Sequence, residues 1–313
     1  MTWKKSDPTE MMMVKLYRLD SMIGPPAAVR HEVRIWSKVG DHPNCLRLID
    51  IFHEKKQLFV IFERWNVSLL ERMERISLLP EVGLACLFRG MLLSLQHIHS
   101  QGIVHRDVVP DSFVFGGHGG GVVKLSNFRQ AALLQPGKTM KEQRGTPTYR
   151  SPEMLLGTGY SHTTDIWSLG VTAYLLLSGK FPYPQLELHE EASARTSCRE
   201  AYALRCKPAP HPMAAAGKGS ISHEVVLVLM ALLEVSSAHR RTATDCLDLP
   251  LLRKAEGFDT LADEGLVQAI HSEKLLFDAG ARHGALGPID ESFENDGDGL
   301  LKLTLTDRCH MML

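Results

Sequence analysis

Apolar and polar positions along this chain follow first a strand-like and then a helix-like rhythm. Residues 11–17 form a short apolar run closed by a charge, which predicts a strand. Gly24-Pro25-Pro26 breaks it. Val29, Val33, Ile35, Trp36 and Val39 then recur at roughly helical spacing, predicting a helix over 27–39. Residues 46–51 and 58–63 read as two strands joined by the charged turn His53-Glu54-Lys55-Lys56. From residue 80 to 100, Leu84, Leu87, Leu92, Leu95 and Ile98 mark the apolar side of a longer helix. Residues 164–178 and 225–235 are strongly apolar and predict core helices. Between them, residues 184–220 are rich in Ala, Pro, Gly and charge, an excursion with one short helix near 194–205. Strands first and helices after predict an α+β chain. The tail from about residue 256 reads as an appendage with a helix over 261–277.

Composition narrows the class. The chain has 313 residues, 44% apolar and 23% charged, enough to bury a core of ordinary size. Its net charge of −1 gives no global field for nucleic acid or a membrane surface, so neither is an expected partner. The six cysteines have no C-x-x-C pair and no metal-ligand spacing, which predicts free thiols in a reducing compartment. The N-terminus lacks the apolar segment of a secretory signal. The longest uncharged apolar run, residues 225–233, falls short of the ~20 residues a bilayer needs. The expectation is a cytoplasmic protein, with the nucleus left open.

Candidate chemistry lies in two short segments about twenty residues apart. One reads His105-Arg106-Asp107-Val108-Val109-Pro110-Asp111-Ser112 and the other Val123-Lys124-Leu125-Ser126-Asn127-Phe128-Arg129. Together they resemble the catalytic loop, H-R-D-L-x-x-x-N, and the metal-binding loop, D-F-G, of the eukaryotic protein kinases. Met12-Met13-Val14-Lys15 is similar to V-A-I-K, and Glu32 follows where the family has the helix glutamate that holds that lysine. Asp41-His42-Pro43-Asn44 resembles the H-P-N turn. Phe62 falls at the gatekeeper position and Glu63 begins the hinge. Gly145-Thr146-Pro147-Thr148-Tyr149-Arg150-Ser151-Pro152-Glu153 resembles the end of an activation segment. Asp165-Ile166-Trp167-Ser168-Leu169-Gly170 resembles the helix under the catalytic loop, and Arg240 fits the arginine that pairs with Glu153. The run from Leu175 to Tyr183 looks most like the calmodulin-dependent group of serine/threonine kinases.

The resemblance covers about residues 11–252. It implies an N-terminal lobe over 1–63, truncated before its glycine-rich hairpin, a C-terminal lobe over 64–253 and a tail over 254–313. Fourteen residues precede Lys15 and none is glycine, so the lid over the nucleotide phosphates is expected to be missing from this chain or to lie upstream in a longer transcript.

The resemblance also implies roles. Asp107 stands at the catalytic-base position, with Lys15, Glu32 and Arg106 around it; Lys15, Phe62, Glu63, Ser112 and Asn127 outline an ATP site. The departures fall on that site. Asn127 and Ser112 replace the aspartate and asparagine that hold magnesium, and neither supplies a carboxylate to a hard dication. Val109 replaces a lysine that steadies the transferring phosphate, and Arg129 replaces the D-F-G glycine. Met13 replaces a small alanine facing the adenine ring and would partly fill the pocket. His105, Phe128 and Trp36 are expected to stack as core residues. ATP is therefore in question as a cofactor, and magnesium is not expected.

In the tail, Glu294, Asp296 and Asp298 before Gly299 resemble the start of an EF-hand loop. The twelfth position is Leu305 rather than a bidentate glutamate, so calcium is not expected to be held. The expected function is a catalytically impaired pseudokinase, a scaffold or allosteric regulator. Its partner would be a protein, such as an active kinase or that kinase's substrate. It would dock on the helical lobe, the 184–220 excursion or a sheet edge left unpaired. The alternative is an active serine/threonine kinase with an unusual metal scheme. Thr139, Thr146 and Thr148 are candidate phosphoacceptors, and Arg106 could pair with a phosphate there.

Overall fold

The computed structural model describes residues 12–18, 27–54, 57–75, 81–117, 120–184, 194–207, 209, 221–256 and 300–303. Strand β1 (Met12–Arg18) is followed by helix α1 (Ala27–Val39), then β2 (Leu48–Glu54) and β3 (Gln57–Glu63). Val29, Glu32, Ile35, Trp36 and Val39 are buried on one face of α1, as the helical spacing requires. The β2–β3 hairpin is longer than its sequence suggests. Glu54 pairs with Gln57 and His53 with Leu58, so the charged pair continues the strand. Both side chains are exposed near the hairpin tip, where they cost no desolvation.

Strand β1 is an inner strand. The sheet order is β2-β3-β1-β9, where β9 (Leu300–Leu303) runs antiparallel to β1, with Met12 opposite Leu303 and Lys15 opposite Leu300. This corrects the expectation that β1 leaves an unpaired edge for a partner. The chain's own tail supplies backbone partners along Met12–Lys15. Glu294, Asp296, Asp298 and the helix expected over 261–277 lie outside the described residues.

A second, three-stranded sheet joins β4 (Trp65–Ser68), β6 (Phe113–Gly116) and β7 (Val122–Leu125). Helix α2 (Leu69–Arg75) follows β4, and helix α3 (Glu81–Ser100) packs on β7. A Cβ at Gly90 would lie 2.5 Å from Val123 Cγ1, so this contact needs glycine. Short strands β5 (Ile103–Val104) and β8 (Ala132–Leu133) bracket the catalytic-loop segment. Helix α4 (Pro152–Leu156) and helix α5 (Thr163–Ser178) come next. Most of α5 is buried, as its apolar composition requires, and the left-handed Gly179 closes it by donating its N–H to Leu175 O. Helix α6 (Ala194–Arg205) lies where the sequence places a short helix, and His223–Leu232 forms the second core helix. Among the described residues, no helix is long and apolar enough to cross a membrane. Cys45 and Cys246 are buried free thiols, each pushed up to about 12 by burial.

Two buried ionic contacts tie these elements together. The Arg240 guanidinium meets both Glu153 oxygens, at 2.7 and 3.0 Å, and also donates to the carbonyls of Thr163, Glu234 and Val235. The second centre is the fully buried Asp165 at the start of α5. Its carboxylate accepts from His99 Nε2, His105 N and Arg106 N, each at 2.8 Å. Burial by itself would raise the Asp165 carboxyl, but the His99 bond, the two imidazoles and the His105 N–H outweigh it and hold the group below its usual range.

Removing Arg240 leaves Glu153 buried and unpaired. Arg240→Ala is expected to cost ~3–5 kcal/mol in chemical denaturation, and the double change Glu153→Leu, Arg240→Met much less. Asp165 generates an acid-side prediction. Because its folded pKa is depressed, its contribution is complete above the unfolded carboxylate value of ~3.9 and fades as pH falls through the folded value. The melting temperature is expected to drop on the acid side of pH 4, and Asp165→Asn is expected to start lower and flatten that limb in a thermal-shift series.

Candidate functional site

The segments singled out in the sequence converge between the first sheet, α1 and the catalytic loop. Lys15 Nζ is 3.9 Å from Glu32 Oε1, which joins β1 to α1. Tyr17 OH donates to the other Glu32 oxygen at 3.4 Å, and the Lys15 ammonium lies 5.2 Å from the Tyr17 ring centre. Burial raises the Tyr17 hydroxyl above its usual range, so it stays a neutral donor.

Behind the pair runs a column of rings. Phe62 is 5.3 Å from Trp36, Trp36 is 6.1 Å from Phe128, and Phe128 is 5.4 Å from His105, edge to face. His105 Nε2 bonds Ser126 O at 2.9 Å, and Trp36 donates Nε1–H to Leu46 O at 2.6 Å. His31 Nε2 bonds Ala131 O at 2.7 Å, a second link from α1 to the segment after Phe128. The stacking expected of Trp36, Phe128 and His105 is present, with Phe62 as a fourth ring.

Two left-handed residues shape the site, Arg106 in the catalytic loop and Asn127 in the second segment. Arg106 has φ 67°, an unusual value for a side chain of its size, and Asp165 grips its N–H. Asn127 has φ 60° and ψ 59°. Asparagine tolerates that region better than most residues, so the bend survives without the family's aspartate. The bend does not need the next glycine either. Arg129 lies in a single 3-10 turn, Phe128–Gln130, with no positive φ, and its side chain is exposed.

Asp107 is in place but engaged. One oxygen accepts from Thr146 N at 2.9 Å and from Thr146 Oγ at 2.8 Å. Gly145 makes this crossing possible. With φ +71°, a Cβ there would lie 2.0 Å from Arg106 O, so only glycine lets the two loops touch. Ser112 is fully buried and donates its hydroxyl to Asp107 O at 2.7 Å. Asn127 is exposed. Val109 is 6% exposed and belongs to the core, where a lysine would have to leave it. Met13 is 1% exposed, on the same face of β1 as Lys15. Among the described residues, no group of three or more Asp, Glu, His or Cys side chains could hold a metal ion.

Two contacts of this site have no signature in the sequence. Glu63 accepts from Lys124 Nζ at 3.0 Å and from Arg47 N at 2.7 Å, so the hinge carboxylate is tied to β7 and to the residue before β2. Thr146 reaches Asp107 across 39 positions. No local period marks either pairing.

Comparison with known proteins agrees with this geometry. Residues 2–252 match the model of the protein kinase domain. The mitosis inducer protein kinase cdr2 of Schizosaccharomyces pombe is 36% identical over 145 residues, 46% of this chain and 18% of that protein. Serine/threonine-protein kinase GIN4 of Saccharomyces cerevisiae is 29% identical over 231 residues, 73% of this chain and 19% of that protein. Calcium/calmodulin-dependent protein kinase type 1 of Macrobrachium nipponense is 28% identical over 181 residues, 57% of this chain and 52% of that protein. The alignments thus span from about a fifth to about half of these relatives' own length. With its ion pair, ring column and catalytic loop arranged as described and most of its length matched, this chain belongs to the protein kinase domain family.

Proposed function

We propose that this protein is a catalytically impaired kinase, a pseudokinase that acts as a scaffold or allosteric regulator of a protein partner in the cytoplasm. One observation carries the reading: the groups at the two metal-holding positions do not fit a magnesium ion. Asn127 offers a neutral amide, exposed to solvent. Ser112 offers a hydroxyl that is fully buried and already given to Asp107 O. Phosphoryl transfer depends on positioning and on neutralising the triphosphate charge, and neither position supplies a carboxylate for that work. Val109, packed in the core, supplies no cation beside Asp107. Met13 occupies the β1 face where the family keeps a small side chain toward adenine. A rigid frame without its metal ligands suits a protein that is recognised rather than one that turns over. The partner we favour is an active kinase or its substrate; the near-neutral net charge gives no reason to invoke nucleic acid or membrane.

A second reading has its own support. The Lys15–Glu32 pair and the ring column are assembled, and Asp107 is retained. That arrangement favours a serine/threonine kinase with an unusual metal scheme.

Thermal melting with ATP, with and without magnesium, separates the two. A ligand that binds only the native state stabilises it, by ~2.7 kcal/mol at a hundred times its dissociation constant. We expect no magnesium-dependent rise at millimolar ATP. A rise that requires magnesium, together with phosphate transfer abolished by Asp107→Asn, would overturn the pseudokinase reading.

A further inference from the structure

We propose that Glu142 is a built-in counter-charge for Arg106, which docks the activation segment on the catalytic loop with no phosphorylation. The proposal goes beyond the impaired-kinase reading and does not depend on it.

Kinase activation loops are commonly ordered when a phosphate added to the segment pairs with an arginine. Here the arginine beside the catalytic aspartate already meets an anion. Arg106 Nη1 is 3.4 Å from Glu142 Oε2, and Nε donates to Gln130 O at 2.6 Å. The Arg106 side chain is 8% exposed, so its charge sits in a partly desolvated niche. Arg144 Nε lies 3.7 Å from the same Glu142 oxygen. The backbone of Glu142 is held separately. Its carbonyl accepts from Tyr160 OH at 2.7 Å, and Met140 and Tyr160 exchange both backbone bonds two residues upstream. The Tyr160 hydroxyl also bonds Arg106, so the Glu142 main chain is held close to that guanidinium, which lowers the entropy the ion pair must overcome.

The hydroxyls of Thr146 and Thr139 are placed elsewhere. Thr146 is spent on Asp107. Thr139 lies against Gly159, its Oγ 2.8 Å from where a Cβ there would sit. Thr148 is half-buried, and its carbonyl accepts from Arg205 at 3.0 Å. Among the described residues, the side-chain anion that faces Arg106 is Glu142, not a phosphoacceptor. A glutamate carries one charge and is 67% exposed here, so the clamp is weaker than a phosphate but permanent.

The test is hydrogen exchange of residues 131–150 in full-length protein made in bacteria, with mass spectrometry confirming that no phosphate is present. The wild-type segment is expected to be protected. In Glu142→Ala its exchange should rise about two- to fivefold at low salt, the range for an exposed ion pair, with α5 unchanged. Glu142→Lys should raise it further, and molar salt should shrink the difference between wild type and Glu142→Ala. In an Arg106→Gln background, Glu142→Ala should have no additional effect. Three results would overturn the proposal: a wild-type segment that exchanges freely until a kinase phosphorylates it, equal exchange in wild type and Glu142→Ala, or an undiminished Glu142→Ala effect without Arg106.

Discussion

The site rests on one buried carboxylate. Asp165 has no access to solvent and spends its two oxygens on three donors, two of them the backbone N–H groups of His105 and Arg106. Those bonds hold Arg106 in the left-handed region, and that turn presents Asp107 on one side and the Arg106 guanidinium on the other. His105, fixed by the same carboxylate, is the foot of the ring column that reaches Phe128, Trp36 and Phe62. The catalytic loop, the column and α1 are thus supported from a single point in α5. A carboxylate so placed is worth its desolvation only when every lone pair it exposes to the interior is used.

Around that point the chain separates architecture from chemistry. Groups that hold the frame are retained with bonded geometry: Lys15–Glu32, Glu153–Arg240 and Asp165 with its donors. Asn127, Ser112 and Val109 are placed to serve structure. Asn127 keeps the left-handed bend, Ser112 keeps a bond to the Asp107 carbonyl, and Val109 joins the core. Each of the three satisfies the backbone or the packing at its position.

Much of this was legible in the sequence because local patterns carried it. The spacing of Val29, Ile35, Trp36 and Val39 marks α1, and the apolar run after Thr164 marks α5. The short helix near Ala194–Arg205 could be placed between its breakers. Motif order paired Lys15 with Glu32 and Glu153 with Arg240, and both pairs are present in the structure. What stayed hidden depends on residues far apart in the chain. The β4-β6-β7 sheet was missed because its strands are only four residues long and two of them form a Gly-rich hairpin. Pairing of β1 with Leu300–Leu303 has no counterpart in local periodicity. The bonds from Thr146 to Asp107 and from Lys124 to Glu63 are set by where loops cross, and composition does not encode a crossing.

The Glu153–Arg240 pair has a consequence in the order of synthesis. Its partners are 87 residues apart. At ribosomal rates, Glu153 emerges roughly 4–17 s before Arg240 exists to neutralise it. During that interval α4 carries a carboxylate without the guanidinium that compensates its burial in the finished lobe. The ion pair is thus also a link across the order of synthesis: it joins a helix made early in the helical lobe to an arginine made 87 residues later.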